Sequence, residues 1–238
     1  MMDCLVLRLD APLMSFGGVL IDQINPTDRF PGKSLVTGLL GNALGWDHRD
    51  RDRLEALQGR LRLAARWDAE PTHLVDYHTV DLGQDFLRDT GWTTRGHRED
   101  RGKGGAATGT HQRYRHYWAN GCATVALGLC GDGAPTLKQL EDALRDPARL
   151  LFIGRKTCMP SAPLLVAVRQ VQSVREALAS EPLAEIGLRR RPDRLEACWP
   201  VEDGAGGEER EVYDLRDWHN NLHVGAERYA VGFLEVRP

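Results

Sequence analysis

Cysteine is sparse in this chain, long hydrophobic runs are missing and net charge is small, and each shortage narrows what the protein can do. The five cysteines, Cys4, Cys122, Cys130, Cys158 and Cys198, are odd in number, scattered and never spaced C-x-x-C. Neither a disulfide framework nor a zinc site is expected from them. No apolar stretch reaches membrane-spanning length, and the first residues, Met-Met-Asp-Cys-Leu-Val-Leu-Arg, lack the basic stretch and cleavage site of a signal peptide. A cytoplasmic protein with no membrane partner is the expectation. The formal net charge of −3 over 238 residues argues against a uniformly basic nucleic-acid binder but leaves room for a local basic surface.

Signatures of known chemistry are missing too. Gly32-Lys33-Ser34 looks like the end of a phosphate-binding P-loop, yet the position that should be its leading glycine is Thr27, and Pro31 removes a backbone donor. There is no Ser-His-Asp signature, no two-metal carboxylate cluster and no dinucleotide fingerprint. His219 and His223 are spaced i, i+4 but lack the glutamate of a zinc-protease motif and a third ligand. No metal, cofactor or internal repeat is expected.

What is present begins with residues 25 to 45. Asn25-Pro26 and Phe30-Pro31 hold the chain extended, because a residue before proline is disfavoured in the α region. A helix over about 33 to 45 follows, with Leu35, Val36, Leu39, Leu40, Ala43 and Leu44 at helical spacing. Free N–H groups at its start, the helix dipole, Arg29 and Lys33 can then converge on an anion.

Strands are expected over Cys4–Leu9, Leu61–Trp67, Leu74–Val80, Cys122–Leu129, Leu164–Val168 and Tyr229–Val236. Helices are expected over Asp50–Arg60, after a Thr136 cap through Leu144, and over Val174–Ala179. Together they give the β-α-β-β-α-β order of an α+β, ferredoxin-like fold. One elaborated domain spans 1–238, with a less regular extension over 170–238 that includes an acidic, glycine-rich loop at Glu202–Glu211.

Residues 81 to 115 change character. Between Arg88 and Arg115 there are 7 basic and 3 acidic residues, a local charge of +4, among many glycines and beside Trp92, Tyr114, Tyr117 and Trp118. Cations paired with aromatics suit a flexible arm that binds nucleic acid, while a solvated loop has the same composition. Gly154-Arg155-Lys156-Thr157-Cys158 is a second basic turn, able to join the helix turn in one groove or to remain a solvated loop. Tyr77, His78 and Lys156 would suit metal-independent RNA cleavage if the fold brought them together.

Several stretches together resemble one family, the CRISPR-associated protein 5 family in its subtype I-E Cascade form (CasD). They are residues 5 to 17 (Leu-Val-Leu-Arg-Leu-Asp-Ala-Pro-Leu-Met-Ser-Phe-Gly), 26 to 34 (Pro-Thr-Asp-Arg-Phe-Pro-Gly-Lys-Ser), 76 to 80 (Asp-Tyr-His-Thr-Val), 124 to 127 (Thr-Val-Ala-Leu) and 153 to 158 (Ile-Gly-Arg-Lys-Thr-Cys). The C-terminal third resembles it less, apart from Arg-Asp-Trp-His at 216 to 219.

The resemblance implies an RNA-recognition-motif-like palm with an extended β-hairpin thumb at about 81–115. It implies a non-catalytic subunit that binds the 5′ handle of the guide RNA and caps the backbone filament. The implied partners are the backbone, large and small Cascade subunits, with target DNA reached through the assembled complex. Carried onto this sequence, Arg29, Lys33 and Ser34 would hold handle phosphates, with Thr27 and Thr37 as further donors. Arg113, Tyr114 and Arg115 would lie at the end of the thumb, and Arg155 and Lys156 in the basic loop; Arg95, Arg98, Arg101 and Lys103 would contribute only collectively. Relatives in another subtype process the guide, so a repeat-cutting endoribonuclease is the alternative.

Overall fold

The computed structural model describes residues 1–85, 91–92, 97–99 and 109–235. Strand periodicity sets its layers. In β1 (Met2–Asp10), Leu5, Leu7 and Leu9 face one side of a sheet and Cys4 the other. Two short strands, β2 (Leu13–Met14) and β3 (Ile24–Asn25), precede helix α1 (Lys33–Ala43) and helix α2 (Arg51–Arg60). Then come β4 (Leu61–Ala69), β5 (Thr72–Asp81), the two-residue strands β6 (Gly91–Trp92) and β7 (Arg98–Glu99), β8 (Thr110–Ala119) and β9 (Cys122–Leu129). Helix α3 (Leu137–Arg145), β10 (Leu165–Val171), helix α4 (Val174–Ser180), β11 (Leu195–Pro200), β12 (Glu208–Asp217) and β13 (Leu222–Leu234) complete the described chain.

The main sheet is antiparallel throughout, in the order β10-β1-β9-β4-β11-β13-β12. Its two faces carry separate cores. Leu5, Leu7, Leu61, Leu63, Trp67, Val125 and Leu127 meet Val36, Leu39 and Leu40 of α1 and Leu140 and Leu144 of α3 on one face. On the other, Ala64, Ala126, Ala197 and Trp199 meet Val174, Ala177 and Leu178 of α4. Each such leucine contributes about 2 kcal/mol by leaving water. The second face also buries an ion pair, Arg66 with Asp68 at 2.7 Å, whose remaining valences go to Thr124, the Ala184 N–H and backbone carbonyls of the segment after α4. That network keeps two buried charges satisfied.

Helix ends follow their sequence signals. Thr136 caps α3 in a reciprocal box, donating its own N–H to Gln139 at 2.8 Å and accepting from the Gln139 N–H at 3.2 Å. Helix α2 begins after Asp50 and α4 after Ser173, whose hydroxyl accepts from the Glu176 N–H. Among the described residues no helix is long and apolar enough to cross a membrane.

Several expectations shift in register or extent. Glu70-Pro71 carries the chain from β4 out of the main sheet, and β5 enters a second sheet, where it pairs with β8 over ten residues, from Thr72↔Ala119 to Asp81↔Thr110. Residues 110 to 115 of the expected insertion are therefore regular strand, because β5 supplies their ladder. Arg88, Arg95, Arg101 and Lys103 lie outside the described residues. The 202–211 loop is shorter than expected, since β12 starts at Glu208. The 170–238 extension supplies β11, β13 and β12, three strands of the main sheet.

Candidate nucleic-acid interface

The turn before α1 is pinned by two indoles. Trp67 donates its ring N–H to the Arg29 carbonyl at 3.2 Å and Trp118 to the Asp28 carbonyl at 2.7 Å, while the Arg29 guanidinium lies 5.2 and 5.1 Å from the two ring centres. Thr27 accepts from the Phe16 N–H at 2.9 Å. These contacts hold Thr27 as part of the scaffold, so its hydroxyl is already engaged.

Carboxylates from distant strands meet the donors of this turn. Asp214 of β12 accepts the Ser34 N–H at 2.7 Å and the Ser34 hydroxyl, filling the start of α1 where an anion was expected. A Cβ on Gly32 would lie 2.1 Å from Asp214 Oδ2, so the carboxylate fits only over a glycine. Lys33 pairs with Glu227 of β13 at 2.6 Å, and Arg29 with Glu196 of β11 through its Nε at 2.8 Å. Thr37 is fully buried in α1, its hydroxyl without a partner among the described residues, and it does not reach solvent.

Crowding of acids has a further effect. Burial, then the nearby Asp214, pushes the Asp28 carboxyl up to about 6. Asp214 is itself raised by burial, against the lowering pull of its Ser34 hydrogen bonds. Asp28, Glu196 and Glu211 also line a cavity of about 330 Å³ beside Arg29 and Arg210. The helix turn is thus charge-compensated from within the chain.

The hairpin of β5 and β8 presents the opposite condition. Alternation along its register places His73, Tyr77, Tyr114, His116 and Trp118 on one face and Asp76, His78, Arg113 and Arg115 on the other. On the first face Tyr77 and Tyr114 pack with ring centres 4.9 Å apart, and His73 Nε2 lies 3.0 Å from His116 Nδ1. Burial, then the charges of His73 and Arg155, lower the His116 pKa.

On the second face the cations lack carboxylate partners. Arg113 donates only to the Gln112 carbonyl, and Arg115 has no hydrogen-bond or ion-pair partner among the described residues. Arg155 is fastened to the hairpin by backbone carbonyls, those of His116 at 2.9 Å and Asn25 at 3.1 Å, and packs 4.6 Å from the Tyr117 ring centre. Lys156, next to it, is exposed and unpaired among the described residues. Gly154 makes this seat possible: its φ is +92°, and a Cβ there would lie 1.7 Å from the Ser15 carbonyl oxygen.

The fold therefore gathers the cations Arg113, Arg115, Arg155 and Lys156, leaves Tyr114 on the opposite face of the hairpin from Arg113 and Arg115, and separates these cations in charge from Thr27, Arg29, Lys33, Ser34 and Thr37. Tyr77 and His78, neighbours on one strand, point to opposite faces; His78 bonds Asp76 at 2.5 Å. His219 lies in the β12–β13 turn, 3.0 Å from Asp52, and His223 lies in β13, so their i, i+4 spacing is not helical. Among the described residues no group of three or more His, Cys, Asp or Glu is placed to hold a metal ion. Sequence reasoning missed Asp214, Glu196 and Glu227, which carry no local motif.

An α+β chain with a seven-stranded antiparallel sheet, a second sheet built on the long β5–β8 pair and a cationic seat beside it defines a class of protein, and comparison with known proteins specifies it. The model of the CRISPR-associated protein (Cas_Cas5) family matches residues 4–229, and the chain belongs to that family. It is 32% identical over 188 residues to the CRISPR system Cascade subunit CasD of Escherichia coli (strain K12), covering 75% of this chain and 77% of that protein. Among solved structures, a chain of a CRISPR RNA-guided surveillance complex aligns with TM-score 0.67 at 24% identity, covering 98% of this chain and 90% of its own. A second, described as the crystal structure of a Cas protein, aligns with TM-score 0.64 at 25% identity over 98% of this chain and 95% of its own.

Proposed function

We propose that the chain is a non-catalytic, cytoplasmic subunit of a type I-E Cascade that grips the 5′ handle of the guide RNA and caps the backbone filament. The observation that carries this reading is the group of cations without carboxylate partners at the hairpin root, Arg113, Arg115, Arg155 and Lys156. Cations without counter-ions suit a single strand whose phosphates they neutralise. The similarity to a Cascade subunit supports the assembly.

In this reading β1, β4, β9 and β10 with α1 and α3 form a ferredoxin-like palm, supported by the strand order β10-β1-β9-β4. The β5–β8 hairpin is the root of the thumb. Backbone, large and small subunits are its protein partners, and target DNA is met through guide pairing in the assembled complex. Arg29 and Lys33 become available to RNA only when Glu196 and Glu227 release them.

Binding without turnover is favoured over repeat cleavage because Tyr77 and His78 face opposite sides of the hairpin. A general base and acid must both reach the reacting oxygens, and Lys156 sits on a separate loop. Incubating the purified chain with labelled full-length repeat RNA, with a denaturing gel and filter binding in parallel, tests the choice. Salt-sensitive retention of intact RNA is expected; a discrete metal-independent cut would overturn it.

A further inference from the structure

The Arg-Asp-Trp-His stretch at 216 to 219 has no part in the interface above, yet it borders a second cleft. This cleft, about 390 Å³, lies between α1, the 15–18 turn, the 152–155 loop and the β12–β13 turn. Its size falls in the range of small-molecule sites, about 300–1,000 Å³. Two arginines, Arg155 and Arg216, and two histidines, His48 and His223, line it together with Phe152 and Trp218, and no carboxylate does among the described residues.

Arg216 is the informative residue. It is half-buried, packs 4.8 Å from the Trp218 ring centre and donates to the Asn221 side chain at 2.9 Å. Trp218 is itself fixed, its ring N–H donated to Gln58 at 3.2 Å and its backbone N–H to Glu55 at 3.1 Å. No ion pair satisfies the Arg216 guanidinium among the described residues. Asp214 is the carboxylate whose charge acts on it, and that group is already held by Ser34. A guanidinium drawn out of water without a counter-ion is costly, and an anionic ligand offsets that cost. Arg155, held only by carbonyls, is in the same state.

We propose that this cleft binds one nucleotide of a single-stranded RNA, with its phosphate between Arg155 and Arg216 and its base against Phe152. The proposal rests on the RNA-binding reading and extends the interface from the hairpin root around the 152–156 loop to the C-terminal strands. Paired guanidinium donors match phosphate oxygens, and flat side chains accept bases of any sequence.

Filter binding of labelled repeat RNA across salt, with thermal melting of each variant, provides the test. Arg216→Gln is expected to weaken binding about tenfold and to flatten the salt slope by about 0.7, the share of one single-strand phosphate. His223→Glu, at an exposed position, places a carboxylate in the cleft and is expected to weaken binding about as much; it decides the matter if Arg216→Gln melts early. A 4-thiouridine-substituted RNA is expected to cross-link to the peptide containing Phe152. If both folded variants bind as wild type while Arg113→Ala with Arg115→Ala binds poorly, the hairpin reading survives and the cleft proposal is overturned. If wild type binds no RNA at any salt, both are overturned.

Discussion

The turn at residues 27 to 34 and the root of the β5–β8 hairpin are both basic in sequence, but their surroundings differ. At the turn, Arg29, Lys33 and Ser34 are met by Glu196, Glu227 and Asp214. At the hairpin root, Arg113, Arg115 and Lys156 meet no carboxylate among the described residues, and Arg155 meets only carbonyls. A cation already paired gives up that partner before it can take a phosphate, so equal counts of Lys and Arg do not make equal RNA sites. The turn is a scaffold with latent donors, and the root is an available surface.

The strongest way to break this difference is Gly154→Ala. An alanine would occupy a left-handed backbone position and meet the Ser15 carbonyl, unseating Arg155 and Lys156 from the root. A loss of about 3 kcal/mol is expected in urea unfolding, from strain and overpacking together, and RNA affinity is expected to fall with it. A reversed approach removes the compensation: Glu196→Gln with Glu227→Gln frees Arg29 and Lys33. That double variant is expected to bind RNA up to about tenfold more tightly, with a steeper salt slope. Unchanged affinity would show that the turn is out of reach of RNA even when uncovered.

A smaller effect comes from Asp28. Its folded pKa of about 6 lies above the ordinary carboxylate value, so the folded state holds its proton more firmly than the unfolded state. The associated stabilisation is fully present below about pH 4 and is lost as pH rises through about 6. Asp28→Asn is expected to flatten this part of the stability profile and to stabilise the protein at pH 7 by about 1 kcal/mol. Unfolding curves at pH 4.5 and 7 would check it, and a wild-type profile that rises across the interval would contradict it.

Much of the architecture is legible in sequence because its signals are local. Helical spacing marks α1, a nearly continuous apolar run marks β9, and Thr136 with Gln139 announces the start of α3. The 124–127 and 153–158 stretches likewise carry the family resemblance. What sequence leaves hidden depends on partners far along the chain. Glu196, Asp214 and Glu227 are separated from the donors they compensate by 167, 180 and 194 residues. β12 is rich in charged residues and largely exposed, so its apolar alternation is weak. Tyr77 and His78 are adjacent in sequence, but strand alternation in β5 turns them to opposite faces.

The most direct measurement is the salt dependence of repeat-RNA binding for two double variants, Arg113→Ala with Arg115→Ala and Arg29→Ala with Lys33→Ala. Removing the hairpin cations is expected to flatten the slope by about 1.4, two single-strand phosphates, and removing the turn cations by less than about 0.7. The reverse order, with the turn variant flattening more, would contradict the assignment of the hairpin root as the RNA-binding surface.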